Sequence, residues 1–345
     1  MQYQLENNRH AFSLAGMITL ALRLVTGWTY FSAFWRRLIL ENKLDPEQAG
    51  YIGEKFNHFL PNALLIGPGI EYLVSNPDTL WWFMLIFTVV EAVVGLFFIL
   101  GLFTRLMSIG VFGLAMGILL GAGWLGTTCL DEWQIGVLGI AAGFTIFLSG
   151  GGPFSMDHYL RNRAPGIYRN GRLWFLGSGI FKVRPRTLKR LVLTGAIGIF
   201  LLTLGTNQYF HGGLWGTLHN KSVRPNVLIS EPTLEEDYLA FTVFRNEGAD
   251  VYGSFLIGIS LYDESGKAIL ELNGEQLANF PPENIKNSYV SKVKPGKHSL
   301  ILPLGAKARL TIRNEQFGTL PKGNFLLVLR DISGVEWRKL LVSDR

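Results

Sequence analysis

Between Leu14 and Leu204 the apolar residues gather into blocks about as long as the hydrocarbon core of a bilayer is thick. Backbone amides cannot be left unpaired in hydrocarbon, so such blocks must cross as helices. Five stretches read as spans: Leu14 to Trp35, Leu80 to Leu100, Leu106 to Leu125, Trp133 to Leu148 and the weaker Leu191 to Leu204. The last two are short, and flanking Gly, Ser and Thr must complete the crossing. After Asn220 charged, polar and turn residues are interspersed throughout, so the two parts of the 345-residue chain face different solvents. Its 48% hydrophobic and 17% charged residues fit that division.

The net charge of +6 does not mark a nucleic-acid-binding face, because basic residues concentrate between Arg161 and Arg190, between two spans. There they act as a cytoplasmic signal. Counting outward, the turn at Arg105 is expected inside with the N-terminus. The Arg36 to Thr79 segment, the Gly121 to Glu132 loop and the C-terminal domain are expected on the extracytoplasmic side of the cytoplasmic (inner) membrane. The first apolar stretch lacks a small-residue cleavage site and is expected to stay as a membrane helix. This gives a four-helix transmembrane domain over 1–160 with an outer loop at 36–79, a basic linker over 161–190, a fifth helix over 191–206 and an exported domain over 207–345.

Within the outer segment, Tyr51, Ile52, Lys55, Phe56, Phe59 and Leu60 predict a short interfacial helix. The glycine-rich, aromatic run Tyr209 to Asn220 reads as a joint at the membrane surface. Beyond it, β-rich runs at Tyr238 to Phe244, Ser254 to Tyr262, His298 to Leu304, Ala308 to Ile312 and Phe325 to Leu329 are broken by turns such as Glu264 to Lys267 and Lys294 to Lys297. Short strands at this spacing favour an antiparallel β-sandwich.

Chemistry has few carriers. Arg23 and Glu91 fall at equal depth if counted from the inner ends of the first two spans, so they are expected to pair or to line a polar cavity. That pair either fixes helix register or edges a quinone or anion pocket and handles protons. The single cysteine, Cys129, excludes an intrachain disulfide and a CxxC site. It is either a small apolar filler or, near the emerging Arg36 and Arg37, a thiol whose thiolate those cations favour. Aromatic residues at the outer span ends, including Trp28, Trp35, Trp124 and Trp133, read first as an interfacial belt, with Trp28 and Trp124 as candidates to stack on a quinone. The histidines make no HxxH or HExxH spacing, and no metal site is expected. The Gly150-Gly151-Gly152-Pro153 run is expected to be a tight turn, not a phosphate loop.

Two stretches, Glu91 through Arg105 and Gly150-Gly151-Gly152-Pro153-Phe154-Ser155-Met156-Asp157, together with Arg23, resemble the DoxX/DoxD family of four-helix membrane proteins. The long outer loop and Trp-rich ends are similar to the DoxD branch. The fifth helix, the His211-Gly212-Gly213-Leu214-Trp215-Gly216 joint and the β domain resemble DoxA, so the chain looks like a DoxD–DoxA fusion. The resemblance implies oxidation of thiosulfate to tetrathionate with electrons passed to a membrane quinone such as ubiquinone or menaquinone. On that expectation Arg36 and Arg37 hold thiosulfate beside Cys129, while Arg23, Glu91, Trp28 and Trp124 serve quinone or proton handling. A scaffold that binds another protein, or an oxidoreductase for another sulfur compound, is the alternative. Homo-oligomerisation is compatible with the sequence.

Overall fold

A computed structural model describes residues 11–126, 131–163, 175–178, 183–250 and 254–343. The chain divides into two compact units. The first comprises Met1–Ala49, Trp82–Gly123 and Leu130–His219; the second comprises Gly50–Trp81, Trp124–Cys129 and Asn220–Arg345.

The first unit is helical. Helix α1 spans Ala11–Ile18 and turns by 49° into a segment running over Leu20–Leu40. That segment is α2, Leu20–Phe34, continued as a π-helical turn at Trp35–Leu40. Two short helices of the second unit come next in the chain, α3 at Ile52–Phe59 and α4 at Gly67–Ser75. Then come α5 at Pro77–Leu100, α6 at Thr104–Ala122, α7 at Asp131–Ser149, the short α8 at Met156–Arg163, and α9 at Pro185–Phe210. Helices α5, α6, α7 and α9 are each long and apolar enough to cross a bilayer, and the bent α1–α2 pair makes a fifth if counted as one span. The weak fifth apolar stretch thus extends well past both predicted ends.

Small residues let these helices approach closely. A Cβ on Gly27 of α2 would come within 3.0 Å of the Gly95 carbonyl of α5, and one on Gly95 within 2.5 Å of the Phe31 nitrogen. Helices α6 and α7 meet the same way through Gly136 on Leu119 and Gly143 on the Ser108 carbonyl.

One end of the bundle is held by a buried polar knot. The turn between α5 and α6 places Phe103 in the left-handed region, φ 48°, a strained conformation for a bulky residue. The Asp157 carboxylate holds it there by accepting from the Phe103 and Thr104 amides at 2.8 and 3.0 Å and from the Thr104 and Ser178 hydroxyls at 2.7 and 2.9 Å. Asp157 thereby caps α6. Beside it, the fully buried Arg105 donates to the Phe147 and Phe175 carbonyls.

The second unit holds a two-sheet β-sandwich joined by loops from earlier in the chain. Its strands are β1 Asn226–Leu234, β2 Tyr238–Glu247, β3 Ser254–Tyr262, β4 Ala268–Asn273, β5 Ile285–Asn287, β6 Lys294–Pro295, β7 Leu300–Leu302, β8 Lys307–Arg313, β9 Gly323–Asp331 and β10 Glu336–Ser343, with a five-residue helix α10 at Gly274–Ala278. One antiparallel sheet runs β1-β2-β8-β5; the other runs β10-β9-β3-β7-β6 with β4 also on β3. Inward residues such as Leu239, Phe241 and Val243 of β2, Leu256, Ile259 and Leu261 of β3, and Leu327 and Leu329 of β9 form one core.

Helix α3, where the sequence predicts a short helix, docks onto this sandwich. The buried Asn57 amide donates to the Gly305 carbonyl at 2.7 Å, and its oxygen accepts from the Ser291 nitrogen at 3.4 Å. Gly305 has φ 75°, and a Cβ there would lie 2.3 Å from the Asn57 carbonyl, so this contact needs glycine. Asn62 donates to the Asn246 carbonyl, and Val290 to the Val74 carbonyl. Segment 50–81 therefore belongs structurally with the sandwich, whereas the sequence places it with the bundle as an outer loop.

Two stability predictions follow from these contacts. Asp157→Ala removes four accepted hydrogen bonds at a buried carboxylate and is expected to cost about 3 kcal/mol, read as a lowered midpoint in detergent thermal unfolding. Burial pushes the His58 imidazole down to about 4, with Asp250 opposing and Arg245 and Lys55 reinforcing the shift. The folded state then resists a proton that the unfolded chain accepts once the pH falls below about 6.5. Stability of the second unit is full above that pH and declines down to pH 4, by on the order of 2 kcal/mol. His58→Gln is expected to flatten the decline in a pH series of unfolding midpoints.

Candidate functional site

Over Leu20–Leu40 Arg23, Tyr30 and Arg37 form a stripe at seven-residue spacing, the first two standing two α turns apart on one face of α2 and Arg37 following in the π-helical turn. Arg23 and Tyr30 are 2% and 3% exposed. The stripe meets α5, which presents Thr88 and Glu91 one turn apart, both buried.

The expected Arg23–Glu91 pair does not form. Arg23 donates instead to the Gly151 carbonyl at 2.5 Å and the Phe154 carbonyl at 2.6 Å, in the turn after α7. A Cβ on Gly101 would lie 2.7 Å from its Nη1, which sets Arg23 level with the end of α5. Glu91 lies ten residues back along α5, roughly 15 Å away. Depth measured from Leu14 misses the 49° bend before α2: the straight crossing begins near Leu20, and Arg23 sits at its start.

The residue at the right height is Arg37, roughly 21 Å further along the helix from Arg23, and its long side chain reaches back along that axis. Its Nη1 donates to Glu91 Oε2 at 2.5 Å and to the Thr88 hydroxyl at 2.9 Å. Thr88 in turn donates to the Met84 carbonyl at 2.7 Å, and the guanidinium carbon lies 6.0 Å from the Phe87 ring centre. The side chains are 13% and 6% exposed, so this ion pair is almost fully desolvated. Such a pair breaks about even against apolar packing, while removal of one partner strands the other charge at about 3–5 kcal/mol. Arg37 stands in the π-helical turn Trp35–Leu40, a departure from α geometry often found at functional sites.

Tyr30 completes the arrangement. Its hydroxyl is buried with no hydrogen-bond partner among the described residues. It points at α7, where a Cβ on Gly139 would come within 2.5 Å of the oxygen. A carboxylate, a guanidinium and the Thr88 hydroxyl thus converge inside the bundle, and the same helix also carries the uncommitted Tyr30 hydroxyl. Chemically the group can hold an anion or polar carbonyl by hydrogen bonds and can relay a proton through Glu91.

The other candidates lie elsewhere. Arg36 is exposed, donates to the Ser32 carbonyl at 3.3 Å and has no ion pair among the described residues. Trp28 is 57% exposed, its ring 6.0 Å from that of Phe31. Trp124 belongs to the second unit, 1% exposed, its indole donating to the Phe59 carbonyl at 3.2 Å. Cys129 lies outside the described residues. Gly126, three positions before it, is held within the second unit by Asn220 at 2.9 Å and by the Ser222 hydroxyl. The sequence marks Tyr30 only as one of the aromatics of the outer belt and does not mark Thr88. The signals for both are the seven-residue spacing of Arg23, Tyr30 and Arg37 and the one-turn spacing of Thr88 and Glu91.

Known proteins bear on both parts of the chain. Residues 18–184 match the family model described as TQO small subunit DoxD, and residues 210–340 match the one described as TQO small subunit DoxA. No solved structure matches the chain. With the stripe, the capped turn and the sandwich lying inside those two matched regions, the chain belongs to the DoxD and DoxA families of TQO small subunits and is a DoxD–DoxA fusion.

Proposed function

We propose that this membrane protein is a thiosulfate:quinone oxidoreductase that forms tetrathionate on the side of the bilayer facing its β-sandwich and delivers the electrons to a membrane quinone. The observation that carries this reading is the presence of two TQO subunit families in one polypeptide. The buried Arg37–Glu91 pair supports it, because quinone reduction inside a bilayer consumes protons that a desolvated carboxylate can deliver.

In the covalent form of the reaction, thiosulfate and the Cys129 thiolate give up two electrons to quinone, which takes up two protons. The thiosulfate outer sulfur becomes bonded to the cysteine sulfur, as Cys–S–S–SO3⁻. A second thiosulfate attacks that outer sulfur, tetrathionate leaves, and the thiolate returns. Arg36, exposed and without an ion pair among the described residues, suits capture of a dianion. Arg37, by contrast, is committed to Glu91, and its part is to hold that carboxylate and to leave the Tyr30 hydroxyl as the uncommitted donor. The tie of Gly126 to Asn220 and Ser222 fixes the start of the cysteine loop through residues of the DoxA region.

The deciding assay is thiosulfate-dependent reduction of a soluble quinone analogue by the detergent-purified protein, with tetrathionate quantified. One tetrathionate per quinone reduced is expected; a folded, quinone-supplied sample without activity would move the assignment to another sulfur compound or to a scaffold. Within an active sample, Cys129→Ser is expected to abolish turnover, and normal turnover would leave direct electron transfer from bound thiosulfate. Glu91→Gln, which keeps shape and hydrogen bonding, is expected to lower kcat about 100-fold with little change in the KM for thiosulfate, and Arg36→Ala to raise that KM about tenfold.

A further inference from the structure

Helix α9 carries the chain from the bundle to the sandwich, yet it is barely held by protein. No residue in its most apolar stretch is buried, and only Thr206 and Phe210 near its end are. Its ties to α7 are Gly195, where a Cβ would lie 2.2 Å from the Phe144 ring, and the Trp133 indole donating to the Thr206 hydroxyl at 3.0 Å. Beside this seam runs an open groove of about 770 Å³ between α1, α7 and α9. Ala15 and Ile18 of α1, Leu138 and Phe144 of α7, and Val192 and Phe200 of α9 are among its walls, which are almost wholly apolar. From Leu188 to Thr203 it follows α9 for roughly 22 Å, most of a hydrocarbon core about 30 Å thick.

Charge at one end says what fills it. Arg184, Arg186, Lys189 and Arg190 crowd the start of α9, all exposed and none ion-paired with a described residue. At 3.6 residues per turn, Lys189 falls within the arc of α9 that lines the groove, and Arg186 lies just beyond its edge. An apolar trough that opens onto unneutralised cations matches one amphiphile, with a hydrocarbon chain for the trough and an anionic headgroup for the basic end. The bend between α1 and α2 leaves α1 as the groove's third wall.

We propose that this groove is a binding site for an anionic phospholipid, which lies along α9 and supplies the packing that the protein does not. The lipid chain covers Val192, Ala196 and Phe200, and its phosphate is held by Lys189 and Arg186. Bound this way, it fixes the helix that leads into the sandwich. This site is separate from the Arg37–Glu91 centre and does not depend on the oxidoreductase reading.

The test is native mass spectrometry and thermal unfolding of the detergent-purified full chain, supplied with dioleoyl phosphatidylglycerol or, as the neutral match, dioleoyl phosphatidylcholine. Phosphatidylglycerol is expected to stay bound at least about tenfold more than phosphatidylcholine and to raise Tm by on the order of 5 °C. The surface double variant Arg186→Gln with Lys189→Gln is expected to bring retention down to the phosphatidylcholine level. Ala196→Trp, on the exposed face of α9, is expected to fill the trough and reduce binding of both lipids. Equal retention of the two lipids by the unaltered protein would overturn the proposal, as would phosphatidylglycerol binding unchanged in both variants. Displacement of bound phosphatidylglycerol by a short-chain quinone analogue would also overturn it, in favour of a quinone groove.

Discussion

A charged group in hydrocarbon persists only where a partner replaces its lost water, and that requirement organises the helical unit. The ionisable residues inside it gather at two levels. At one, Asp157 accepts from two amides and two hydroxyls while Arg23 and Arg105 donate to carbonyls that the turns after α7 and near Phe175 leave free. At the other, Arg37 and Glu91 neutralise each other beside Thr88. Turns are where a helical membrane protein has spare backbone groups, so the first cluster reads as structural: it converts orphan carbonyls and amides into ligands for charges and fixes how the helices meet. The second uses no backbone orphan. It joins the π turn that ends the α2 segment to the middle of α5, and spending two charges there where apolar packing would serve is the reason to propose a function for it.

The fusion changes how the two families' regions are shared. The sandwich does not fold around DoxA-region residues alone: α3 and α4 pack with it, and Trp124 to Gly126 are pinned by Phe59, Asn220 and Ser222. Segments 50–81 and 124–126 are thus parts of the second unit. A covalent link makes their association intramolecular, so weak contacts such as the 3.4 Å Asn57–Ser291 bond can hold a loop that two separate chains would hold less well.

Much of this was legible in the sequence, for reasons tied to residue type. Long apolar runs cannot be anything but membrane helices, and α3 follows from the spacing of Tyr51, Lys55 and Phe59. Strands β2, β3, β8 and β9 alternate cleanly or run apolar throughout, and the sequence places each within a few residues. Strand β1 was hidden by Glu231 and Pro232, where the register shifts against β2 and Glu231 takes φ 50°; β5 and β6 are two or three residues long and depend on their neighbours. Arg23 and Glu91 do not pair because the first apolar run contains a 49° bend, which hydropathy does not report. The home of segment 50–81 could not be read because hydrogen bonds between residues more than 200 positions apart, such as Asn57 to Gly305, leave no local pattern.

Consistency between local and global preference specifies a fold, and its breaches tend to mark function. Two breaches coincide on α2. The helix widens into a π turn at Trp35–Leu40, the turn that carries Arg37 to Glu91. Seven residues earlier, Tyr30 buries a hydroxyl without a partner among the described residues, at a net cost of about 1–3 kcal/mol. Phenylalanine would fill the same space without that cost, and the facing Gly139 leaves no side chain to clash with the oxygen or to satisfy it. A donor kept unsatisfied on the helix segment that also carries the partner of a desolvated carboxylate is of use when something arrives to accept it. Under the proposed oxidoreductase function, a polar acceptor entering from the bilayer is what would meet that hydroxyl and draw a proton by way of Glu91.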